Sequence, residues 1–273
     1  MRLHVRGGLD LRWKGKPAGT IDDEIAVGSV ALLGEDYPGL RPIFDVVDGQ
    51  TVRAGDRLFT DRRNPGLFYT APAAGTIRAI SRGRRRSLDS IVIDVEGDEA
   101  VQFERPAQLG RETLQSLLMA SGGWPSFRSR PFGRLADPQI LPSAIFVTAM
   151  DTAPLAGDPV IVIRRYETWF HLGAAALRHL TDGPIYICHA AHASLPVPDG
   201  TTSVGITGRH PAGLPGTHIH HIHPVGADRM VWHIGYQDVI GIGCLLDTGR
   251  IWSQRVVALT GPGTRNPRHV LAP

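Results

Sequence analysis

The sequence is poor in cysteine and in long apolar runs. Its 273 residues include two cysteines, Cys188 and Cys244, which stand in unrelated contexts without a CxxC motif. A thiolate-held iron–sulfur cluster or zinc site is therefore not expected, and we interpret both residues as buried thiols in a reducing cytosol. The apolar runs fall short of the roughly 20 residues of a membrane helix, and no secretory signal is visible at the N-terminus.

Charge is also scarce. Charged residues make up 20% of the chain and the formal net charge is +3, which is too mild to indicate nucleic-acid binding. An apolar content of 42% is typical of a globular protein. A chain of this length can bury two ordinary cores, so we expect two domains.

Residues 1–105 are predicted to form a first domain of short strands and turns. Gly49, Gly55 and Gly75 interrupt β-branched runs at positions suited to tight turns with positive φ. The pattern resembles the lipoyl/biotinyl barrel-sandwich hybrid, whose attachment lysine would lie near residues 61–64 (DRRN). Arginine cannot be acylated in that way, so we expect the fold without its swinging arm. The basic run 82–86 (RGRRR) is either a solvated hairpin tip or a contact for an acidic partner or lipid headgroups.

Residues 106–262 are predicted to form a Rossmann-like three-layer α/β domain. Leucines at helical spacing indicate a helix over residues 111–120, and Asp158-Pro159 is a helix start with an Asp N-cap. A further helix is expected from Asp238 to Leu246. Strands alternating with helices favour a largely parallel sheet. The buried strands are expected at residues 144–149, 185–188 and 256–260. Residues 263–273 are predicted to be a tail that leads to a C-terminal domain outside this chain.

Five of the twelve histidines stand in residues 210–223. If this stretch is a strand, His218 and His220 share one face, and such a pair is a weak candidate for zinc or copper. The stretch contains no carboxylate or cysteine as a further ligand. Hydrogen bonding to the backbone, to water or to a quinone carbonyl is the favoured alternative.

Two glycine pairs could mark a nucleotide loop. Gly241 and Gly243 lie inside a helical pattern without a third glycine, and Gly122-Gly123 follows a helix, where glycine usually serves as a C-terminal cap. Asp151 follows a predicted strand end, the place where ligands of α/β domains usually bind.

Several long stretches carry a resemblance to a known family. Residues 29–37 (SVALLGEDY), 146–152 (FVTAMDT) and 210–220 (HPAGLPGTHIH) resemble the NqrA family, which provides one subunit of the Na⁺-translocating NADH:quinone oxidoreductase, and shorter matches extend the likeness from Gly8 to Pro267. The C subunit of the Rnf complex and the NADH-binding subunit of complex I are more remotely similar. Family members continue well past residue 273 into further domains, so this chain corresponds to their N-terminal part.

The resemblance implies a peripheral subunit on the cytoplasmic face of the bacterial inner membrane, in a six-subunit respiratory complex. That translocase oxidises NADH, reduces ubiquinone and exports Na⁺. Members of the NqrA family are understood to carry no redox cofactor and to have a part in ubiquinone binding, so we expect the isolated chain to be inactive. Membrane contact would run through partner subunits. Flavin-binding relatives have a glycine-rich loop and paired glutamates where this chain has Gly122, Gly123 and the single Asp151.

We name four quinone-binding candidates by the chemistry of their side chains, since a carbonyl oxygen needs a hydrogen-bond donor in an apolar pocket. They are His218, His220, Tyr236 and Asp238. Two other functions stay open: a histidine-coordinated metalloprotein, with His218 and His220 as ligands, and a stand-alone ligand-binding module.

Overall fold

The computed structural model describes residues 1–22, 25–84 and 87–272. Within them the chain forms five α-helices and seventeen β-strands. The helices are α1 (Arg111–Ala120), α2 (Pro159–Arg165), α3 (Glu167–Ala176), α4 (Pro215–Ile222) and α5 (Tyr236–Thr248). The strands are β1 (Arg2–His4), β2 (Ile21–Asp22), β3 (Ser29–Leu33), β4 (Pro42–Phe44), β5 (Thr51–Val52), β6 (Arg57–Asp61), β7 (Asn64–Thr70), β8 (Gly75–Arg82), β9 (Leu88–Val95), β10 (Arg128–Arg130), β11 (Arg134–Leu135), β12 (Ile145–Ala149), β13 (Ile185–Ala190), β14 (Thr202–Thr207), β15 (Val231–Gly235), β16 (Arg255–Leu259) and β17 (Arg268–Ala272).

Two small antiparallel sheets, β3-β9-β8-β5 and β4-β6-β7, form the barrel-sandwich hybrid and confirm that prediction. Alternate residues of their strands are buried between the sheets, as Leu58, Ile77 and Ile91 show. The predicted hairpin tip at residues 61–64 joins β6 to β7. The basic run follows β8; Arg84 is exposed, while Arg85 and Arg86 lie outside the described residues.

The predicted α/β domain is confirmed as an open seven-stranded sheet with the order β1-β14-β13-β12-β15-β10-β11. Strands β1, β14, β13, β12 and β15 run parallel, and β10 and β11 add an antiparallel edge. Residues on one face of β12, such as Phe146, belong to a core cluster with Ile219 of α4. Residues on the other face, such as Val147, pack in the cluster that contains Phe170 of α3 and Val239 of α5. Helices therefore cover both faces, which gives three layers.

The helix predictions also hold. Helix α1 buries Leu114, Leu117 and Leu118. Asp158 caps α2, because its Oδ1 accepts a hydrogen bond from the Val160 amide at 2.9 Å.

The third predicted strand of the α/β domain lies elsewhere. β16 pairs antiparallel with β17 in a separate sheet, β16-β17-β2, and not in the parallel sheet. Val257 and Leu259 are exposed there, since one face of this sheet lacks a covering layer over them. An apolar run alone does not distinguish a strand buried on both faces from one buried on a single face.

Strand pairing also changes the membership of both termini. Strand β1 pairs in parallel with β14 of the α/β sheet, although residues 1–105 were expected to form the first domain. Residues 268–272, expected in a tail, form β17. Strands this short carry no periodic signal, and their pairing depends on distant partners. The boundaries at 105 and 262 otherwise stay predictions.

Cys188 and Cys244 are both free and buried, as expected from the sequence. Burial raises the pKa of the Cys188 thiol. No helix in the described part of the chain is long and apolar enough to span a membrane.

Candidate functional site

The sheet order places a crevice between β12 and β15. The chain leaves β12 towards β13 on one side and returns from β14 through α4 to β15 on the other side. This change of direction is the topological switch point, where open α/β sheets bind ligands outside the carboxyl ends of their strands. A cavity of about 640 Å³ opens at that position. Its sheet-side wall consists of residues at or just after the two strand ends: Thr148, Met150, Asp151, Gly235, Tyr236 and Asp238.

The opposite wall comes from the barrel-sandwich domain and from the segment after α1. Tyr37, Gly122, Ser126 and Arg128 contribute to it. A smaller cavity of about 290 Å³ adjoins the first and shares Tyr37, Gly122 and Ser126 with it. The candidate site therefore lies where the two domains meet.

Asp238 forms the charged part of the site together with Arg255. The Arg255 guanidinium donates a hydrogen bond to Asp238 Oδ1 at 2.7 Å. Burial raises the pKa of Asp238, while Arg255, Ser126 and the Gly235 backbone amide counteract the shift by favouring the carboxylate. Asp238 lies in the first turn of α5, where a negative charge also meets the positive end of the helix dipole.

Tyr236, the first residue of α5, supplies a neutral donor. Burial raises the pKa of its phenol to about 12, so the hydroxyl keeps its proton at physiological pH. Its one protein partner among the described residues is the Gln237 side-chain amide at 3.4 Å, which donates to the phenol oxygen. The phenolic proton is therefore available to a ligand oxygen.

His233 was not among the residues predicted from the sequence. It lies on β15 between the buried Trp232 and Ile234 and lines the larger cavity. Burial lowers its pKa to about 4, with Arg130 and Arg128 adding to the shift. Arg130 Nε donates to His233 Nε2 at 3.2 Å, so the neutral ring carries its proton on Nδ1. Its position two residues before the strand-ending Gly235 was the available signal.

Thr148 adds an unused hydroxyl to the same wall. Its Oγ1 is buried, and no hydrogen-bond partner for it exists among the described residues. Buried hydroxyls in folded proteins nearly always have a partner. An unpaired one in a cavity wall is suited to bind a polar group of a ligand.

The histidine stretch is a helix and not the strand that we expected. Pro215 occupies the first turn of α4, a position that proline favours, and Ile219 and Ile222 follow at helical spacing. Successive residues of a helix are rotated by about 100°, so residues two apart point in nearly opposite directions. His218 is consequently buried, and His220 is exposed beside His221.

The helix removes the geometric basis for a metal pair. His218 and His220 no longer share a face. Within residues 1–22, 25–84 and 87–272, no group of three or more His, Cys, Asp or Glu side chains could hold a metal ion. Neither histidine lines the switch-point cavity, so Tyr236 and Asp238 are the quinone candidates that the fold brings together.

His218 has a defined role inside the fold. Its Nε2–H donates to the Ala212 carbonyl at 2.8 Å, which leaves the Nδ1 lone pair buried and without a partner in the described structure. Burial lowers its pKa to about 4. The ring is thus a neutral element of the core beneath the site.

The three positions at which flavin-binding relatives have their loop serve structural purposes here. Gly122 follows α1 with φ +77°, and a Cβ on it would lie 2.6 Å from Thr70 Oγ1. Gly123 lines the smaller cavity. The Asp151 carboxylate accepts a hydrogen bond from the Ala153 amide at 2.7 Å while lining the larger one.

Comparison with known proteins points to one family over both domains. The family model described as the NqrA second alpha/beta domain matches residues 109–251, and the model of the NqrA N-terminal barrel-sandwich hybrid domain matches residues 3–96. The first match alone covers more than half of the chain.

Individual relatives agree with the family models. The NqrA protein of Actinobacillus pleuropneumoniae serotype 5b, named as part of a Na⁺-translocating NADH-quinone reductase, is 46% identical over 98% of this chain and 62% of the relative. The proteins of the same name from Serratia proteamaculans and Yersinia pestis are 48% and 47% identical, each over 97% of this chain and 61% of their own length. The chain thus spans about three fifths of the length of these relatives.

Proposed function

Since the chain belongs to the NqrA family, we propose that it acts as the NqrA component of a Na⁺-translocating NADH–quinone reductase. In this role the assembled complex oxidises NADH, reduces ubiquinone and exports Na⁺, and the chain alone does not turn over. The support is the name of its relatives together with their 46–48% identity over nearly the whole chain.

The proposed contribution of this chain is to bind ubiquinone in the switch-point cavity. The observation that carries this proposal is the cluster of neutral hydrogen-bond groups at the carboxyl ends of β12 and β15. Tyr236 keeps its phenolic proton, His233 carries its ring proton on Nδ1, and the Thr148 hydroxyl has no partner within the described part of the protein. A quinone presents uncharged carbonyl oxygens, which accept hydrogen bonds from such donors without the cost of burying a charge.

Asp238 and Arg255 would act at the edge of this cavity. Reduction of a quinone to a quinol takes up protons, and a carboxyl with a raised pKa beside a guanidinium can hold or release one close to the bound carbonyl. We assign Asp238 this proton-handling role and Tyr236 the orienting hydrogen bond.

The chain is proposed to carry no redox cofactor of its own. Two features of its residues support this. Gly122, where relatives bind flavin, ends α1 and packs against Thr70, and the two cysteines are buried far apart in sequence without a partner thiol. The NADH and flavin chemistry then belongs to other subunits.

We further propose that the chain is peripheral, on the cytoplasmic face of the bacterial inner membrane, and docks to the other five subunits of the complex. The family resemblance and the subunit designation of the relatives support this placement.

Ubiquinone affinity tests the cavity assignment. Tyr236→Phe removes the phenolic donor and keeps the ring, so we expect the affinity for short-chain ubiquinone to fall about five- to tenfold, as for one lost hydrogen bond. His220→Ala serves as the matched control, because His220 is exposed on α4 and should leave the affinity unchanged. Titration of the chain with ubiquinone-1, followed by isothermal calorimetry, gives both values.

Equal affinity of wild type and Tyr236→Phe would contradict the cavity assignment. A loss with His220→Ala alone would instead place the quinone beside the exposed face of α4.

A further inference from the structure

A continuous surface strip near the N-terminus, residues 6–17, exposes apolar side chains. We call it the N-terminal strip. Leu9, Leu11 and Trp13 are 64%, 45% and 57% exposed. The chain has five tryptophans, and the structure describes them all; the other four are buried or partly buried. A tryptophan left this open is unusual for a side chain that loses much apolar surface when it is covered.

The same strip is basic. Its four cationic side chains, Arg6, Arg12, Lys14 and Lys16, are all exposed. Asp10 is its single acidic residue and lies 3.8 Å from the Arg209 guanidinium. Four cations and one anion give the strip a net charge of +3, so it carries as much positive charge as the entire chain.

The backbone of the strip is fixed at two points. The Leu9 amide donates to the His210 carbonyl at 3.0 Å, and the Gly261 amide donates to the Gly15 carbonyl at 3.2 Å. Gly15 makes its close approach possible, because a Cβ there would lie 2.3 Å from the Gly261 carbonyl oxygen. Trp13 stands between these anchors, flanked by Arg12 and Lys14. The loop is thus held in place while its side chains stay outside.

We propose that the N-terminal strip binds the surface of a bilayer that contains anionic phospholipids. Trp13 would sit at headgroup level beside Leu11, and the basic side chains would extend to the lipid phosphates. Charge complementarity supports this occupant. Apolar side chains that alternate with cations suit an interface that is apolar below and anionic above, whereas a protein partner would favour a contiguous apolar centre with few charges. The proposal is independent of the quinone assignment, because the strip lies outside the switch-point cavity.

Vesicle binding with a tryptophan readout tests the proposal. The purified chain is mixed with vesicles of phosphatidylcholine alone or with an equal share of phosphatidylglycerol, then sedimented. We expect binding to the anionic vesicles only, weakened by salt. Brominated lipid should quench wild-type fluorescence, and this quenching should disappear in Trp13→Phe because the other tryptophans are shielded.

The charge variant Lys14→Glu/Lys16→Glu should weaken vesicle binding at least about tenfold, the scale expected for two basic side chains at such a surface. Arg178→Glu/Arg250→Glu makes the same change in net charge at exposed sites outside the strip and should bind like wild type. Circular dichroism checks that each variant is folded. Equal losses in both double variants, or no binding of wild type to anionic vesicles, would overturn the proposal. If polyglutamate then bound the strip, an acidic protein surface would be its partner instead.

Discussion

At the scale of single residues, burial decides the chemistry of the histidines. His218 and His233 both have a pKa lowered to about 4, whereas the neighbouring His220 and His221 are exposed on the surface of α4. Identity and spacing in the sequence cannot separate these two groups. The neutral imidazole of His233 is suited to donate a hydrogen bond to a ligand, and the neutral imidazole of His218 is part of the core.

This difference predicts an acid-dependent stability. In the unfolded chain His218 regains a pKa near about 6.5. The unfolded state therefore binds more protons below that pH, and the free energy of unfolding falls as the pH drops from about 6.5 to about 4. Each such histidine contributes up to about 1.4 kcal/mol per pH unit in this window. Urea unfolding of His218→Asn at a series of pH values should give a shallower dependence than wild type.

His221→Ala is the control for that experiment. Its ring is exposed, so the pH dependence should match the wild type even if the overall stability shifts slightly. An unchanged slope in His218→Asn would mean that the imidazole is not held neutral in the native state.

At the scale of secondary-structure elements, two glycines of α5 have opposite roles. A Cβ on Gly243 would lie 1.8 Å from the Trp169 carbonyl oxygen of α3, and one on Gly173 of α3 would lie 1.9 Å from the Val239 carbonyl oxygen. The two helices therefore pack backbone against backbone at this crossing. Gly241 faces Trp252 instead, and its nearest neighbour would be 3.9 Å from an added Cβ. The Gly-x-Gly pattern is thus a packing feature in part, and no nucleotide loop is needed to explain it.

The pair provides a matched test within one helix. Gly243→Ala should destabilise the protein by about 1–3 kcal/mol or more, because the helices must separate. Gly241→Ala should be neutral or stabilising by up to about 1 kcal/mol, since alanine is the better helix former. Chemical denaturation of both variants measures the difference. Equal effects would show that the close crossing of α3 and α5 is not present in solution.

At the scale of the whole molecule, the two domains share one core. Barrel-sandwich residues such as Phe59 and Ile91 belong to the same cluster as Leu118 of α1 and Ile234 of β15. The segment between the domains is also tied to the end of α5. The Phe103 amide donates to the Gly249 carbonyl at 2.7 Å, with further side-chain bonds from neighbouring residues. The candidate site, which needs walls from both domains, depends on this continuity.

We therefore predict that both domains unfold in a single transition. Scanning calorimetry should show one peak whose calorimetric and van't Hoff enthalpies agree. Gly249→Ala should lower the whole transition without splitting it, because the added Cβ would lie 2.7 Å from the Phe103 carbonyl oxygen and even closer to Gln102. Gly200→Ala is its control: φ is +81° there, close to the +73° of Gly249, but nothing lies within 4 Å. Two separate peaks in the wild type would contradict the shared core.

The sequence alone determined the local elements and the family. Leucine spacing in α1, the Asp158 cap of α2 and the turn glycines Gly49 and Gly55 each act over a few residues, so they can be recognised without knowledge of distant partners. The barrel-sandwich and α/β architectures followed from the sum of such signals and from the resemblance.

Only the tertiary structure decided which residues meet. It placed β1 beside β14, moved β16 out of the parallel sheet and joined Tyr236 and Asp238 with the unpredicted His233. It also folded the histidine stretch into a helix that separates His218 from His220. The physical reason is the same in each case. Pairing, burial and pKa shifts depend on groups brought close by the fold, and separation along the chain does not reveal those distances.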